Sequence, residues 1–194
     1  MNFQNRTLFE NDNLPILRAL DADTVDLIYL DPPFNSNQDY AAPIGSEAAG
    51  AAFRDTWTLS DVNEAEHGEL ADREPALYAA IHAAGLTHGK SMKSYLIMMG
   101  LRMLEMRRVL KETGSIYLHC DSTASHYLKL LMDAVFGRDN FRNEVIWNRT
   151  STKSLAKRYA VNTDRILYYV KSDGATWKRK GSGRLLLIFA HAKN

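Results

Sequence analysis

The stretch DLIYLDPPFNS, residues 26–36, carries apolar side chains up to Asp31 and then places two prolines and an aromatic ring where a strand would continue. An unpaired carboxylate is costly to bury, and Pro32 and Pro33 have no N–H to donate to a neighbouring strand. The stretch therefore predicts a buried strand that stops at Asp31. A carboxylate, a rigid backbone and Phe34 would lie side by side at its tip.

Hydrophobic periodicity predicts the remaining elements. The predicted helices cover 12–20, about 75–84, 94–114 and 122–137, and the predicted strands cover 25–30, 115–120, 143–149 and 165–172. Gly114 and Gly137 would end the two long helices, Asp121 would cap the second of them, and residues 35–93 would form a long irregular excursion. This order predicts an α/β fold, with a mostly parallel sheet and an antiparallel hairpin at one edge.

The composition of the chain limits the classes of protein to which it can belong. With 194 residues, of which 45% are apolar and 24% charged, the chain is expected to form about one globular domain. Its apolar runs are too short to span a bilayer, and the N-terminal residues have no export-signal pattern. Cys120 is the single cysteine, and no group of His and Cys has zinc-ligand spacing. These features favour a cytoplasmic protein with no membrane partner and no metal site.

Charge is distributed unevenly along the chain. Residues 1–80 carry 15 acidic and 4 basic side chains, whereas residues 81–194 carry 8 acidic and 20 basic ones. Phosphate neutralisation by Lys and Arg dominates nucleic-acid affinity, so the basic half predicts a polyanionic partner. The alternative is a solvated charged face with no partner.

The residue types around Asp31 suit one kind of chemistry. A carboxylate and the fixed carbonyl of Pro32 can together accept both hydrogens of an exocyclic amino group. Phe34 offers a surface on which an extruded base can stack. The rigid prolines would keep these acceptors in place during reaction. The alternative is a simple Asp-Pro-Pro turn.

The motif resembles the catalytic motif of S-adenosylmethionine-dependent DNA amino methyltransferases, which act on adenine N6 or cytosine N4. The similarity continues, in chain order, through FRDTW (53–57), residues 94–137, NFRNEVIWNRTSTKS (140–154) and RILYYVKSD (165–173). This pattern is similar to the N-terminal half of the permuted β group, which includes type III modification methylases. The resemblance implies a partial Rossmann-like methyltransferase fold and direct methyl transfer to a flipped base in DNA. Asp-Pro-Pro-Phe favours adenine N6 over cytosine N4.

The resemblance also implies roles for individual residues. Asp31 and Pro32 would accept the amino hydrogens, Pro33 would stiffen the turn and Phe34 would stack on the base. The residues implied near the cofactor are Asp12, Asn13 and Asp121, with a helix cap as the alternative for Asp12 and Asp121. The residues implied to lie beside DNA are Arg149, Lys153, Lys157 and Arg158, with a solvated hairpin loop as the alternative.

The resemblance ends near Trp177, and one family motif is missing. The glycine-rich Phe-x-Gly-x-Gly segment has no counterpart, and the Gly-Ser-Gly at 181–183 precedes an apolar run instead of following a strand. We therefore expect a catalytic half-domain over 1–177 and an unrelated tail over 178–194, from a truncated enzyme with little activity alone. A second chain or a restriction subunit would be its partner. The alternatives are a non-catalytic nucleic-acid-binding fragment, or methylation of cytosine N4, RNA or a protein amide.

Overall fold

The computed structural model describes residues 7–10, 12–33, 39–41, 52–54, 64–149, 157, 161–177 and 185–189. Its helices are α1 Asn13–Ala19, α2 Glu64–Arg73, α3 Pro75–Val109 and α4 Ser125–Phe136. Its strands are β1 Val25–Asp31, β2 Asp39–Ala41, β3 Ala52–Arg54, β4 Leu110–Cys120, β5 Phe141–Asn148, β6 Thr163–Val170 and β7 Leu185–Phe189. Within these described residues, no helix combines the length and the hydropathy needed to cross a bilayer.

Five strands form the main sheet in the order β5–β6–β4–β1–β7. β1 runs parallel to both β4 and β7, while β6 is antiparallel to β4 and to β5. The β5–β6 hairpin therefore forms one edge of the sheet. The α/β fold, with its parallel strands and antiparallel edge hairpin, is confirmed.

Towards their carboxyl ends β1 and β4 bury every second side chain, as expected of strands with one covered face. The buried members are Ile28, Leu30, Ile116 and Leu118, which join one hydrophobic core with apolar side chains of α1, α3 and α4. The alternate members, which are only partly buried, are Tyr29, Asp31, Tyr117 and His119. The helices thus pack on one face of the sheet, and Asp31 projects from the other face.

Cys120, the last residue of β4, belongs to the covered face. Its side chain is 1% exposed and lies in the hydrophobic core. Burial, followed by the nearby charge of Asp121, raises the pKa of this thiol to about 12. The thiol therefore stays protonated and unreactive while the fold is intact.

The helix predicted over 94–114 ends five residues earlier than expected, at Val109. Pairing with β1 shifts from Val25–Leu110 to Leu27–Ser115, so β1 advances two residues while β4 advances five. β4 accommodates the excess in a bulge that ends at Gly114. A Cβ added to Gly114 would lie 2.7 Å from Leu110 Cγ and 2.9 Å from the Lys111 carbonyl oxygen. Gly114 is therefore needed for close packing inside a strand and does not end the helix.

Two other regions differ from the sequence prediction. Residues 64–73 are helical, and residues 75–93 belong to α3, which is interrupted only at Gly89 with φ +83°. The helix predicted at about 75–84 is confirmed, and the irregular excursion predicted over 35–93 is wrong for 64–73 and 85–93. Tertiary packing of Leu70, Leu77 and Ile81 supports helix in this region. In the tail, residues 185–189 pair with β1 and extend the main sheet.

Gly114→Ala tests the bulge. Because the added methyl overlaps Leu110 and the Lys111 carbonyl, we expect the free energy of unfolding to fall by about 1–3 kcal/mol. Urea denaturation followed by circular dichroism measures this change.

The matched control is Gly68→Ala in α2. A Cβ at Gly68 meets no atom within 4 Å, so this change should raise the stability by about 0.5–1 kcal/mol through helix propensity. Equal effects of the two substitutions would contradict the packing role of Gly114.

Candidate active site

Asp31 is the last residue of β1, where the sequence places it. Its backbone still pairs with Phe189 of β7, and Pro32 and Pro33 then end the strand because neither can donate to a ladder. Pro32 is buried and Pro33 is partly buried. The Asp31 side chain is 37% exposed, so a ligand at the carboxyl end of the sheet can reach it.

A histidine holds Asp31. His119 Nδ1 lies 3.0 Å from Asp31 Oδ1, and His119 Nε2 lies 3.4 Å from Asp164 Oδ2 on β6. Arg149 Nη1, just after β5, lies 3.3 Å from Asp164 Oδ1. Among the described residues this oxygen has no hydrogen-bond partner, so the Arg149 contact is an ion pair without hydrogen-bond geometry. We call Asp31, His119, Asp164 and Arg149 the charge chain, because negative and positive groups alternate along it.

The charge chain favours the protonated imidazole. Ionised carboxylates only accept hydrogen bonds, and only the imidazolium ion has an N–H on both ring nitrogens. The hydrogen bond to Asp31 is the largest cause of a raised pKa at His119; burial opposes it, and Asp164 adds to the increase. Protonated His119 therefore stabilises the folded state. This contribution is complete below pH 6.5, the pKa of histidine in the unfolded chain, and it is lost as the pH rises through the raised pKa of His119 in the folded chain.

Three tyrosines lie side by side next to the charge chain. In the strand register Tyr29 is opposite Tyr117, and Tyr117 is opposite Tyr168. The rings of Tyr117 and Tyr168 stack with centroids 4.5 Å apart and planes 3° apart, and Trp177 lies 5.9 Å from Tyr168. Burial, together with Tyr168, raises the pKa of Tyr117 to about 12. This tyrosine row is an aromatic cluster two residues along the strands from Asp31.

The residues predicted near the cofactor in α1 have structural contacts. Asp12 Oδ1 accepts a hydrogen bond from the Leu14 N–H at 2.9 Å and caps α1. Arg102 of α3 donates to Asp12 Oδ1 and to Asn13 Oδ1, each at 2.7 Å. The capping alternative is therefore confirmed for Asp12. A cofactor role for Asp12 and Asn13 stays a prediction.

Asp121 follows the carboxyl end of β4 but does not cap α4. Its carboxylate accepts hydrogen bonds from the N–H and hydroxyl of Thr123, at 2.8 and 2.9 Å. The N-cap of α4 is Ala124, because the Asp121–Thr123 turn separates the strand from the helix. The predicted helix cap is wrong, and the predicted place of Asp121 beside the cofactor stays a prediction.

The remaining predicted site residues are described only in part. Lys157 is exposed, and Arg149 belongs to the charge chain. Phe34, Lys153 and Arg158 lie outside the described residues. The DNA-contact role of the hairpin loop and the stacking role of Phe34 stay predictions.

Sequence reasoning missed His119 and Asp164. Alternation in SIYLHC places His119 on the same face as Tyr117, which was a usable signal. Pairing of His119 with Asp31 depends on the bulge before Gly114, which shifts the register by three residues. Asp164 is the second residue of β6 and is buried, and no local pattern reveals its partner.

Two type III restriction-modification proteins are similar to this chain. The StyLTI Mod subunit of Salmonella typhimurium is 33% identical over 177 residues, which cover 88% of this chain and 25% of that protein. The EcoP15I Mod subunit of Escherichia coli is 26% identical over 171 residues, which cover 85% of this chain and 24% of that protein. The chain thus spans about a quarter of the length of these relatives.

A solved structure and a family model are also similar to this chain. A Thermus thermophilus protein described as a DNA modification methylase, complexed with S-adenosyl-L-methionine, is 13% identical, with a TM-score of 0.45 over 88% of this chain and 56% of that one. The family model described as DNA methylase matches residues 25–183, six residues beyond the limit expected from the sequence. Because this match covers most of the chain and contains Asp31, His119 and Asp164, the chain belongs to the DNA methylase family.

Proposed function

We propose that this chain provides the amino-group acceptor of a DNA adenine-N6 methyltransferase that uses S-adenosylmethionine. The observation that carries the proposal is Asp31, a partly exposed carboxylate at the end of a parallel strand, held by His119 and followed by two prolines. Ligands of such sheets bind at this edge. Family membership supports methyl transfer to an amino group of DNA, and the names of the type III relatives support a modification role.

The acceptors of the site fit an amino group. An exocyclic amino group has two hydrogens, and the Asp31 carboxylate together with the Pro32 carbonyl would accept one each. Accepting both hydrogens draws the nitrogen lone pair out of conjugation and leaves it available for a new bond. His119 and Pro33 would limit the movement of these acceptors, so that little reorganisation is needed at the moment of reaction.

The neighbouring groups also fit the cofactor. S-adenosylmethionine has a positive sulfonium, an amino group and ribose hydroxyls, and carboxylates suit all three. Asp121, at the carboxyl end of β4, and Asp12, at the start of α1, would accept its donors. When bound, the cofactor supplies an electrophilic methyl group. The tyrosine row would give aromatic contacts beside this pocket.

DNA and a further subunit are the proposed partners. The basic residues of the hairpin loop, with exposed Lys157 among them, would neutralise phosphates. A restriction subunit fits the type III names of the relatives, and the cytoplasm is the proposed place of action. Cytosine N4 offers the same amino chemistry, but the Asp-Pro-Pro-Phe motif and the Mod-subunit relatives favour adenine.

Asp31→Ala should strongly lower the rate at which a tritiated methyl group is transferred to unmethylated DNA. The assay uses the purified 194-residue chain, alone and together with a second polypeptide that carries a glycine-rich cofactor motif. Removing one preorganised polar partner of a reacting group typically costs 10²–10³-fold in rate, and we expect a loss of about this size.

Asp26→Asn is the control, because Asp26 lies at the opposite end of β1 and pairs with Lys111 at 2.8 Å. Its rate should stay near that of the unmodified protein. A wild-type rate in Asp31→Ala would contradict the acceptor role. DNA binding without transfer in every preparation would favour the non-catalytic alternative.

Lys157→Gln should weaken DNA binding and lower its salt dependence. Each phosphate contact contributes about one unit to the slope of log affinity against log salt, so we expect a decrease of about one. Fluorescence anisotropy at several salt concentrations measures the slope. Arg138→Gln is the control, because Arg138 is exposed beyond the far end of α4 and pairs with Asp139. Equal effects would contradict binding through the hairpin loop.

A further inference from the structure

We propose that His119 is a positioning residue, which as an imidazolium ion supported by Asp164 holds Asp31 in the orientation that accepts the amino group. This role rests on the proposed function and names a residue that acts through Asp31. His119 would not touch the base itself.

The sheet places His119 beside Asp31. Four consecutive register pairs, from Leu27–Ser115 to Leu30–Leu118, hold β1 and β4 in step. The next residue is Asp31 in β1 and His119 in β4. Both side chains point to the face of the sheet away from the helices. The 3.0 Å contact between His119 Nδ1 and Asp31 Oδ1 follows from this backbone pairing.

This contact gives the two oxygens of the Asp31 carboxylate different roles. Asp31 Oδ1 contacts His119 Nδ1 at 3.0 Å, and in this proposal Oδ2 is the oxygen that accepts the amino hydrogen. A carboxylate with one oxygen fixed turns less freely about its last bond, so Oδ2 is presented in a defined direction. That is the preorganisation which an amino-group acceptor needs.

The second carboxylate keeps the imidazole charged. The Asp164 side chain is 5% exposed and contacts His119 Nε2 at 3.4 Å. A neutral imidazole has one N–H, so it would turn a lone pair towards Asp31 or towards Asp164. Hydrogen bonds to both carboxylates raise the pKa of His119 against the opposing effect of burial, which agrees with a charged ring.

Charged and titratable groups surround His119 on every neighbouring element. β1 provides Asp31 and Tyr29, β6 provides Asp164, and the end of β5 provides Arg149, which contacts Asp164 at 3.3 Å. β4 itself provides Tyr117, two residues away on the same face. On the covered side of β6, Arg165 pairs with Glu144 of β5 at 3.0 Å. Asp31 and Asp164 contact the two nitrogens of the His119 ring.

The first test measures the His119 pKa by NMR titration of the chain as it exists. The protein has six histidines, and loss of one signal in His119→Asn assigns the resonance. We expect the pKa to lie above 6.5, to fall in Asp31→Asn and in Asp164→Asn, and to stay unchanged in the control Asp26→Asn. A His119 pKa that does not respond to Asp31→Asn would overturn the proposal.

The second test compares two amide substitutions in the methyl-transfer assay. The Asn amide nitrogen takes the place of Nδ1 and can still donate to Asp31, whereas the Gln amide reaches the place of Nε2 and donates to Asp164. We expect kcat of His119→Asn within about threefold of the unmodified protein, and kcat of His119→Gln lowered about 10²-fold, the typical cost of a misplaced group. KM for DNA should change little in either.

The pH profile separates positioning from simple support of the fold. In the unmodified protein kcat should fall as the pH rises through the pKa of His119, and in His119→Asn this alkaline decrease should disappear. Thermal unfolding of both variants checks that they fold. Equal rates for folded Asn and Gln variants would overturn the positioning role.

The two proposals fail in different ways. Absence of methyl transfer from every preparation would overturn the proposed function and the positioning role with it, even where the NMR titration shows the contact. Transfer that depends on Asp31 but is equal in the Asn and Gln variants would overturn the positioning role alone.

Discussion

The parallel pairing of β1 with β4 brings Asp31 and His119 together from distant parts of the chain. Both residues stand at the carboxyl end of their strands, where a side chain is partly exposed yet has a fixed backbone beneath it. A slip by one residue would turn Asp31 into the covered face and leave a charge among apolar side chains. The core at Ile28, Leu30 and Ile116 therefore fixes the register, and the register fixes the site.

The polar groups on the site face differ in how they carry charge. The carboxylates beside His119 favour its protonated form, whereas burial keeps Tyr117 neutral. The charge chain therefore concentrates the ionic interactions at the strand ends, and the tyrosine row beside it remains uncharged. The site face therefore has polar acceptors at the strand ends and an aromatic cluster beside them.

Local patterns predicted much of this fold. The run from Val25 to Asp31, the α1 helix and the edge hairpin follow from short-range periodicity and from proline chemistry, and the structure has all three. Long-range pairing decided one feature that was missed, since Gly114 lies in a strand bulge because β4 must match β1. The Asp121 turn is local: its carboxylate accepts hydrogen bonds from Thr123, so α4 begins only at Ser125. His119 could be placed on a face, but its partner depended on that same bulge.

The reactivity of Cys120 can report local opening of β4. It follows His119 directly but faces the core, where its thiol is 1% exposed and its pKa is about 12. Alkylating reagents attack the thiolate, so modification requires β4 to separate from its neighbours first. The rate of alkylation of this single cysteine would therefore follow local opening of the strand that carries His119, without any introduced label.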